Sequence, residues 1–162
     1  MNPTTKITTS AIGRDLILTA VIDAPAAKIF EAWTDPKKLA QWFAPRPLTL
    51  PKCEIDARPG GSLNGLMRDP DGNEYPIHGV FLEVVPNEKL VSTDAYTSAW
   101  ELSDKPFMTS IVSLEDLGGG QTRYTATARH WNMEDLKTHE EMGFHEGWKQ
   151  CLQQLIELVS TS

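Results

Sequence analysis

The sequence has no long hydrophobic run, few cysteines and no cluster of positive charge. No segment approaches the roughly 20 consecutive apolar residues of a membrane-spanning helix, and the N-terminus lacks the apolar core of a secretory signal peptide. The 162 residues include two cysteines, Cys53 and Cys151, far apart in sequence. We therefore expect two reduced thiols in a cytoplasmic protein and no disulfide.

The charge balance excludes further classes of function. The chain has 22 acidic and 15 basic residues, for a formal net charge of −7. Such a surface repels phosphate backbones and anionic lipid headgroups. The sequence therefore predicts neither nucleic-acid nor membrane binding, and it is compatible with a homodimer.

The length predicts one domain, large enough to bury a core without a metal or disulfide. Residues 1–13 are rich in Thr and Ser with no apolar period, and we interpret them as a flexible leader before a single domain over residues 14–162. Arg14–Asp23 is dense in Ile, Leu and Val, as in a buried strand.

Two short helices are predicted after this strand. Asp23 can cap the first helix, and Pro25 lies in its first turn, where a missing N–H matters least. Asp35-Pro36 is typical of a second helix start, which we extend over Lys37–Trp42.

The middle of the chain predicts about six antiparallel strands joined by tight turns. Asp69-Pro70-Asp71-Gly72 has strong hairpin chemistry, and Gly118–Gly120 predicts the last hairpin. In the final strand, alternate residues would share a solvated face and a packed face, with His130 on the packed side.

A long helix is predicted to close the chain, from about Thr138 to Val159. Thr138-x-x-Glu141 is a plausible capping box, and Asn132-x-x-Asp135 is a weaker, earlier start. Residues three and four apart form one apolar stripe, namely Phe144, Trp148, Cys151, Leu152, Leu155 and Val159. Gly143 and Gly147 indicate either a close approach of backbone or ligand, or a tolerated weak helix start.

This order predicts an α+β fold. One helix cannot cover a flat sheet of six or seven strands, so we expect the sheet to curve around the long C-terminal helix. Such curvature tends to leave a cavity between sheet and helix.

The order and several local signatures resemble the activator of heat-shock protein 90 ATPase homologue-like family. That family lies in the helix-grip superfamily of START-like (SRPBCC) and birch-pollen-allergen proteins. The matching residues run through nearly the whole chain: Ala24-Pro25, Phe30, Trp33, Asp35-Pro36, Gln41-Trp42-Phe43, Pro59-Gly60-Gly61, Asp69 to Tyr75, Gly79, Glu83 to Pro86, Leu90 and Gly147-Trp148.

The resemblance implies an internal cavity for a small apolar or aromatic molecule. It does not imply a chaperone partner, because the co-chaperone of that family has an additional N-terminal domain for which this chain has no room. Small bacterial-type members are mostly stand-alone proteins of unassigned role.

Aromatic side chains are the candidates for lining the cavity. Five Trp residues could lie there, or could simply pack in the core. The predicted ligand-binding residues are Trp33, Trp42, Phe43, Met67, Phe81, Trp100, Tyr124, His130, Phe144 and Trp148.

The histidines suggest acid–base chemistry more than metal binding. His139-Glu140 is followed by His145, six residues on and off the same helical face, so no metal site is predicted. His130 and His145 could converge in the cavity as catalytic candidates, or could be hydrogen-bonded structural residues. No nucleophile elbow or phosphate loop is present, so no cofactor is predicted.

We therefore predict a carrier or sensor of a small hydrophobic ligand. One alternative is an enzyme of the same fold, a cyclase or hydrolase that uses a cavity histidine. The other is a co-chaperone-like interaction module, which would instead expose an apolar patch of several hundred Å².

Overall fold

The computed structural model describes residues 6–98, 101–104 and 106–161. Its strands are β1 (Ile7–Ile12), β2 (Asp15–Ile22), β3 (Thr49–Ile55), β4 (Ser62–Arg68), β5 (Glu74–Val85), β6 (Lys89–Thr93), β7 (Tyr96–Ser98), β8 (Glu101–Leu102), β9 (Met108–Gly118) and β10 (Gln121–His130). Its helices are α1 (Ala26–Thr34), α2 (Pro36–Leu39), α3 (Met133–Glu141) and α4 (Phe144–Thr161).

Within these ranges, eight strands form one antiparallel sheet in the order β1-β2-β10-β9-β6-β5-β4-β3, and β7 and β8 form a separate pair. In this open sheet, β3, β4, β5, β6, β9 and β10 form a meander, and β10 then pairs with β2. Two short helices follow β2, and a long helix ends the chain. The predicted α+β helix-grip architecture is confirmed, and its main sheet has eight described strands where six or seven were expected.

The extra strand is β1, in the segment predicted to be a flexible leader. That prediction is wrong for residues 7–12, which pair with β2 from Ile7–Ala20 to Ile12–Asp15. Gly13, with φ +59°, begins a two-residue turn, where positive φ suits the strand twist. An edge strand needs little apolar periodicity, because its hydrogen bonds come from its neighbour. The rest of the predicted leader, residues 1–5, lies outside the described ranges.

Strand β10 has the predicted two faces. Its buried residues alternate with more exposed ones along the strand, and the buried set comprises Thr122, Tyr124, Ala126, Ala128 and His130. Period-two alternation therefore places both Tyr124 and His130 on the inner face of the sheet.

The β4–β5 hairpin turn is held by one carboxylate, Asp69. Its Oδ1 accepts from the backbone N–H of Asp71 and Asn73, and its Oδ2 accepts from the Asn73 amide and the Tyr75 hydroxyl. These hydrogen bonds, with the Asn73 side chain first, lower the pKa of Asp69. The predicted hairpin is confirmed, with Gly72 at φ +89°.

The helix starts after β2 are only partly as predicted. Asp35 caps α2 by accepting from the Lys37 N–H at 2.9 Å, as expected. Helix α2 ends at Leu39, before the predicted Trp42. The predicted cap at Asp23 is wrong, because Pro25 is the N-cap of α1 and no side chain caps that helix.

The single C-terminal helix that was predicted is two helices, α3 and α4, and neither of them starts near Thr138. The earlier signature is the true start of α3, because Asn132 accepts from the Asp135 N–H at 2.8 Å. Gly143 has φ +97°, a left-handed conformation that ends a helix and favours glycine. Helix α4 then begins at Phe144, so the plausible capping box at Thr138 lies inside α3 and does not mark a helix start.

The core lies between α4, α1 and the sheet. The predicted stripe of α4 is confirmed, with Leu152, Leu155 and Val159 fully buried among residues of β2, β9, β10 and α1. Within the described part of the chain, no helix is long and apolar enough to cross a membrane.

Candidate functional site: a cavity under the start of helix α4

A cavity of about 460 Å³ lies between the first turns of α4, the α1–α2 region and the inner face of the sheet. This is within the roughly 300–1,000 Å³ of typical small-molecule sites. Seven of the ten predicted residues line it, namely Trp33, Trp42, Phe43, Met67, Tyr124, Phe144 and Trp148.

Two of the other three predicted residues, Phe81 and His130, are not in the described lining. Phe81 is 1% exposed within the main hydrophobic cluster, where elements pack directly on one another. Trp100 lies outside the described residues. His130 is buried behind the wall and contacts it through His139.

Trp131, a further tryptophan considered for the pocket, is 54% exposed. It follows the last residue of β10. Since successive residues of an extended chain point to opposite sides, a buried His130 leaves Trp131 outside.

One end of the cavity is an aromatic corner built by α1 and the segment after α2. The rings of Trp33, Trp42 and Phe43 meet edge to face, with centroids 5.0–5.5 Å apart. Such pairs contribute about 0.5–1.5 kcal/mol each beyond their buried area. The Trp42 indole N–H also donates to the Ala32 carbonyl at 2.9 Å, which fixes the ring.

A buried glutamine of α4, Gln154, forms hydrogen bonds that hold this corner against the helix. The Gln154 amide donates to the carbonyls of Trp42 and Ala44, both at 2.9 Å, and its oxygen accepts from the Arg46 N–H. The Cys151 thiol donates to the Phe43 carbonyl at 3.3 Å. Because burial raises the pKa of Cys151 to about 12, the thiol stays protonated at neutral pH.

Tyr124 supplies a polar group in the wall. Its hydroxyl accepts from the Trp33 indole N–H at 3.0 Å. Burial raises the pKa of Tyr124, so the phenol keeps its proton. Among the described residues that proton has no acceptor, which leaves it available to a bound molecule.

Another polar group in the wall is His139, which is paired with His130 behind it. His130 Nε2 lies 2.8 Å from His139 Nδ1, and His130 Nδ1 lies 3.0 Å from the Arg14 carbonyl. His139 is 7% exposed and lines the cavity. Burial first, and then the neighbouring His130 and His145, lower the pKa of His139 to about 4, so it is neutral at pH 7.

His139 replaces His145 as the partner of His130. The predicted convergence of His130 and His145 is wrong, because His145 Nε2 faces Glu140 Oε2 at 2.8 Å and is not in the lining. The prediction assumed one continuous helix; the break at Gly143 turns α3 so that His139 points inward. From the sequence, His139 was considered only as a possible metal ligand. No local pattern marks it as the partner of His130.

The described lining contains no lysine or arginine, and Asp94 is its acidic member. One oxygen of Asp94 accepts from the N–H groups of Phe107 and Met108. Within the described ranges, no three His, Cys, Asp or Glu side chains come together as a metal site would require.

Gly147 gives the cavity part of its space. A Cβ built at this position would meet no atom within 4 Å outside its own helix turn, although the residue lies inside α4 and lines the cavity. The prediction that another backbone approaches this glycine closely is therefore wrong, whereas approach of a ligand and a tolerated weak helix start stay predictions. The absence of a side chain leaves open volume instead.

Comparisons with known proteins agree with this architecture. A Nitrosomonas europaea protein of known structure shares 38% identity and a TM-score of 0.88, over 93% of this chain and 97% of that one. A Chromobacterium violaceum structure shares 25% identity and a TM-score of 0.75, over 91% and 99%. A Silicibacter pomeroyi structure that bears the family's name has 22% identity and a TM-score of 0.69, over 90% and 97%, and shows the fold alone.

Among the curated proteins, none matches this chain. The family model described as "activator of Hsp90 ATPase homolog 1-like protein" matches residues 23–160, a range that includes α1, α2, α3, nearly all of α4 and strands β3 to β10. The chain belongs to the activator of Hsp90 ATPase homolog 1-like family.

Proposed function

We propose that this protein binds a small hydrophobic or aromatic molecule in the cavity under α4, as a carrier or sensor. The observation that carries the proposal is the lining itself. Aromatic and aliphatic side chains enclose about 460 Å³, and few polar groups interrupt them. An unfilled apolar space of this size costs stability, because side chains around it lose packing contacts.

Access to the cavity supports the same proposal. Met142, at the α3–α4 break, belongs to the lining and is 71% exposed. Methionine is flexible and polarisable, so it adapts to different apolar surfaces. A small molecule could enter past this side chain without disturbing the core around Leu155.

The test uses nitrobenzene and toluene, neutral aromatic probes that do not emit in the tryptophan range, and follows intrinsic tryptophan fluorescence. Because Trp33, Trp42 and Trp148 lie in the wall, a bound probe should change their emission saturably. Absence of a saturable change with either probe, at concentrations up to their solubility, would contradict the proposal.

A filled-cavity variant gives the control. Gly147→Phe places a ring in the open volume and should weaken probe binding at least tenfold. Gln153→Phe adds the same ring to an exposed position of α4 and should leave binding unchanged. Equal loss in both variants would mean that the probes bind elsewhere.

A further inference from the structure

The hydrogen bond between His130 Nδ1 and the Arg14 carbonyl fixes the direction of the hydrogen bonds in the histidine pair. A carbonyl only accepts, so His130 Nδ1 must donate to the Arg14 carbonyl. If both rings are neutral, His130 Nε2 is then an acceptor, and His139 Nδ1 must donate to it. His139 Nε2 is consequently the nitrogen that carries a lone pair and no hydrogen.

Both rings are buried away from any opposite charge of the described residues. His130 is 2% exposed and His139 is 7% exposed. Among the described residues neither ring has a carboxylate partner, whereas His145 has Glu140. A buried positive charge without an opposite charge is strongly unfavourable.

His139 Nε2 also remains accessible. It has no hydrogen-bond partner in the described part of the chain. The fully buried side-chain atoms without a partner there are Ser103 Oγ and His145 Nδ1, and His139 Nε2 is not among them. Since His139 lines the cavity, this nitrogen is a hydrogen-bond acceptor available to the cavity's contents.

The charge of the lining restricts what could meet this acceptor. A carboxylate or phosphate would face a lone pair at His139 and the Asp94 carboxylate, with no lysine or arginine among the described lining residues to neutralise it. A hydroxyl group can donate to the nitrogen and costs less to bury.

We propose that the ligand of this cavity is a neutral, largely apolar molecule with a hydrogen-bond donor, such as the hydroxyl group of a phenol or an alcohol, which donates to His139 Nε2. The inference rests on the proposed function and narrows its ligand class. His139 is the binding residue, and His130 is a positioning residue that holds it in the accepting tautomer.

The experiment compares three ligands with one ring system at pH 7 by titration calorimetry: 2-naphthol, 2-methoxynaphthalene and 2-naphthoate. Naphthol should bind about tenfold more tightly than its methyl ether, which cannot donate, and naphthoate should bind most weakly. Equal affinities for naphthol and the ether would overturn the inference and leave the proposed function intact. No binding of the neutral ligands would overturn both.

Variants test whether His139 causes the preference for naphthol over its methyl ether. His139→Leu should bind the ether normally and lose the tenfold preference for naphthol, and His139→Gln, which retains an acceptor, should keep part of it. The control is His145→Gln, outside the cavity, which should keep all of it. A preference that survives in His139→Leu would overturn the assignment.

Imidazole nitrogen NMR of the unmodified protein tests the tautomers without relying on a variant's folding. His139 Nε2 should lack a hydrogen in the free protein, and its resonance should move on addition of naphthol but not of the ether. His130→Phe should let His139 exchange between tautomers. A protonated Nε2 in the free protein at pH 7 would contradict the inference.

Discussion

The two halves of α4 have the same apolar periodicity and different surroundings. In the second half, Leu155 and Val159 are buried in continuous contact with the sheet and α1. In the first half, Phe144, Gly147 and Trp148 border a cavity. One amphipathic stripe therefore serves as core at one end and as wall of a site at the other.

The difference arises from what faces each half. The break at Gly143 and the strand end at His130 bring α3 against the first turns of α4, where the ring of His139 forms part of the wall but does not fill the space. His139 contacts the rings of Phe144 and Trp148, at centroid distances of 5.1 and 5.7 Å. A polar group of a bound molecule can be accommodated beside this half of α4, because space and hydrogen-bond partners are both available there.

The largest effect should come from the core half. Leu155→Ala removes a fully buried side chain and should lower the free energy of unfolding by about 2–5 kcal/mol. Trp148→Phe, in the cavity half, should cost less than about 1.5 kcal/mol, because open space already borders the ring. Urea denaturation measures both, and equal losses would contradict the distinction between the halves.

The second effect is the pH dependence of the cavity half. The pKa of His139 is lowered to about 4 in the folded protein and is about 6.5 in an unfolded chain. Between these values the unfolded chain binds the proton and the folded protein does not, so stability falls as pH falls. Its contribution is complete above pH 6.5 and decreases by about 3 kcal/mol down to pH 4.

Denaturation of wild type and His139→Gln between pH 7 and 4 isolates this contribution from other titrating groups. Wild type should lose more stability than the variant over that interval. His78→Gln, at an exposed histidine, should follow the wild-type curve. Parallel curves for wild type and His139→Gln would show that His139 has an ordinary pKa.

The smallest effect concerns the two glycines at the start of α4. Gly147→Ala should raise the free energy of unfolding by about 0.5–1 kcal/mol, because alanine favours a helix and its methyl group meets nothing. Gly143→Ala should lower it by about 1 kcal/mol or more, because φ is +97°. Thermal unfolding of both variants should give opposite shifts in Tm.

Periodicity and turn chemistry were sufficient for much of the fold. Alternation assigned Tyr124 and His130 to the packed face, and the stripe from Phe144 to Val159 was found by its spacing. Gly13 was not recognised as a turn residue, so the edge strand β1 was missed. The capping pattern at Thr138 was ranked above the true start at Asn132, because both sequences satisfy the same local rule.

The sequence by itself determined the element types, the buried faces and the aromatic residues that would gather near α4, because those depend on contacts between residues close in the chain or on period. Only the tertiary structure decided that His139, and not His145, meets His130, since one glycine with positive φ changes the direction of the chain between them. It also decided that Gly147 contributes open volume and that Gln154 binds the Trp42–Arg46 backbone. Those outcomes depend on distances between segments that no local pattern encodes.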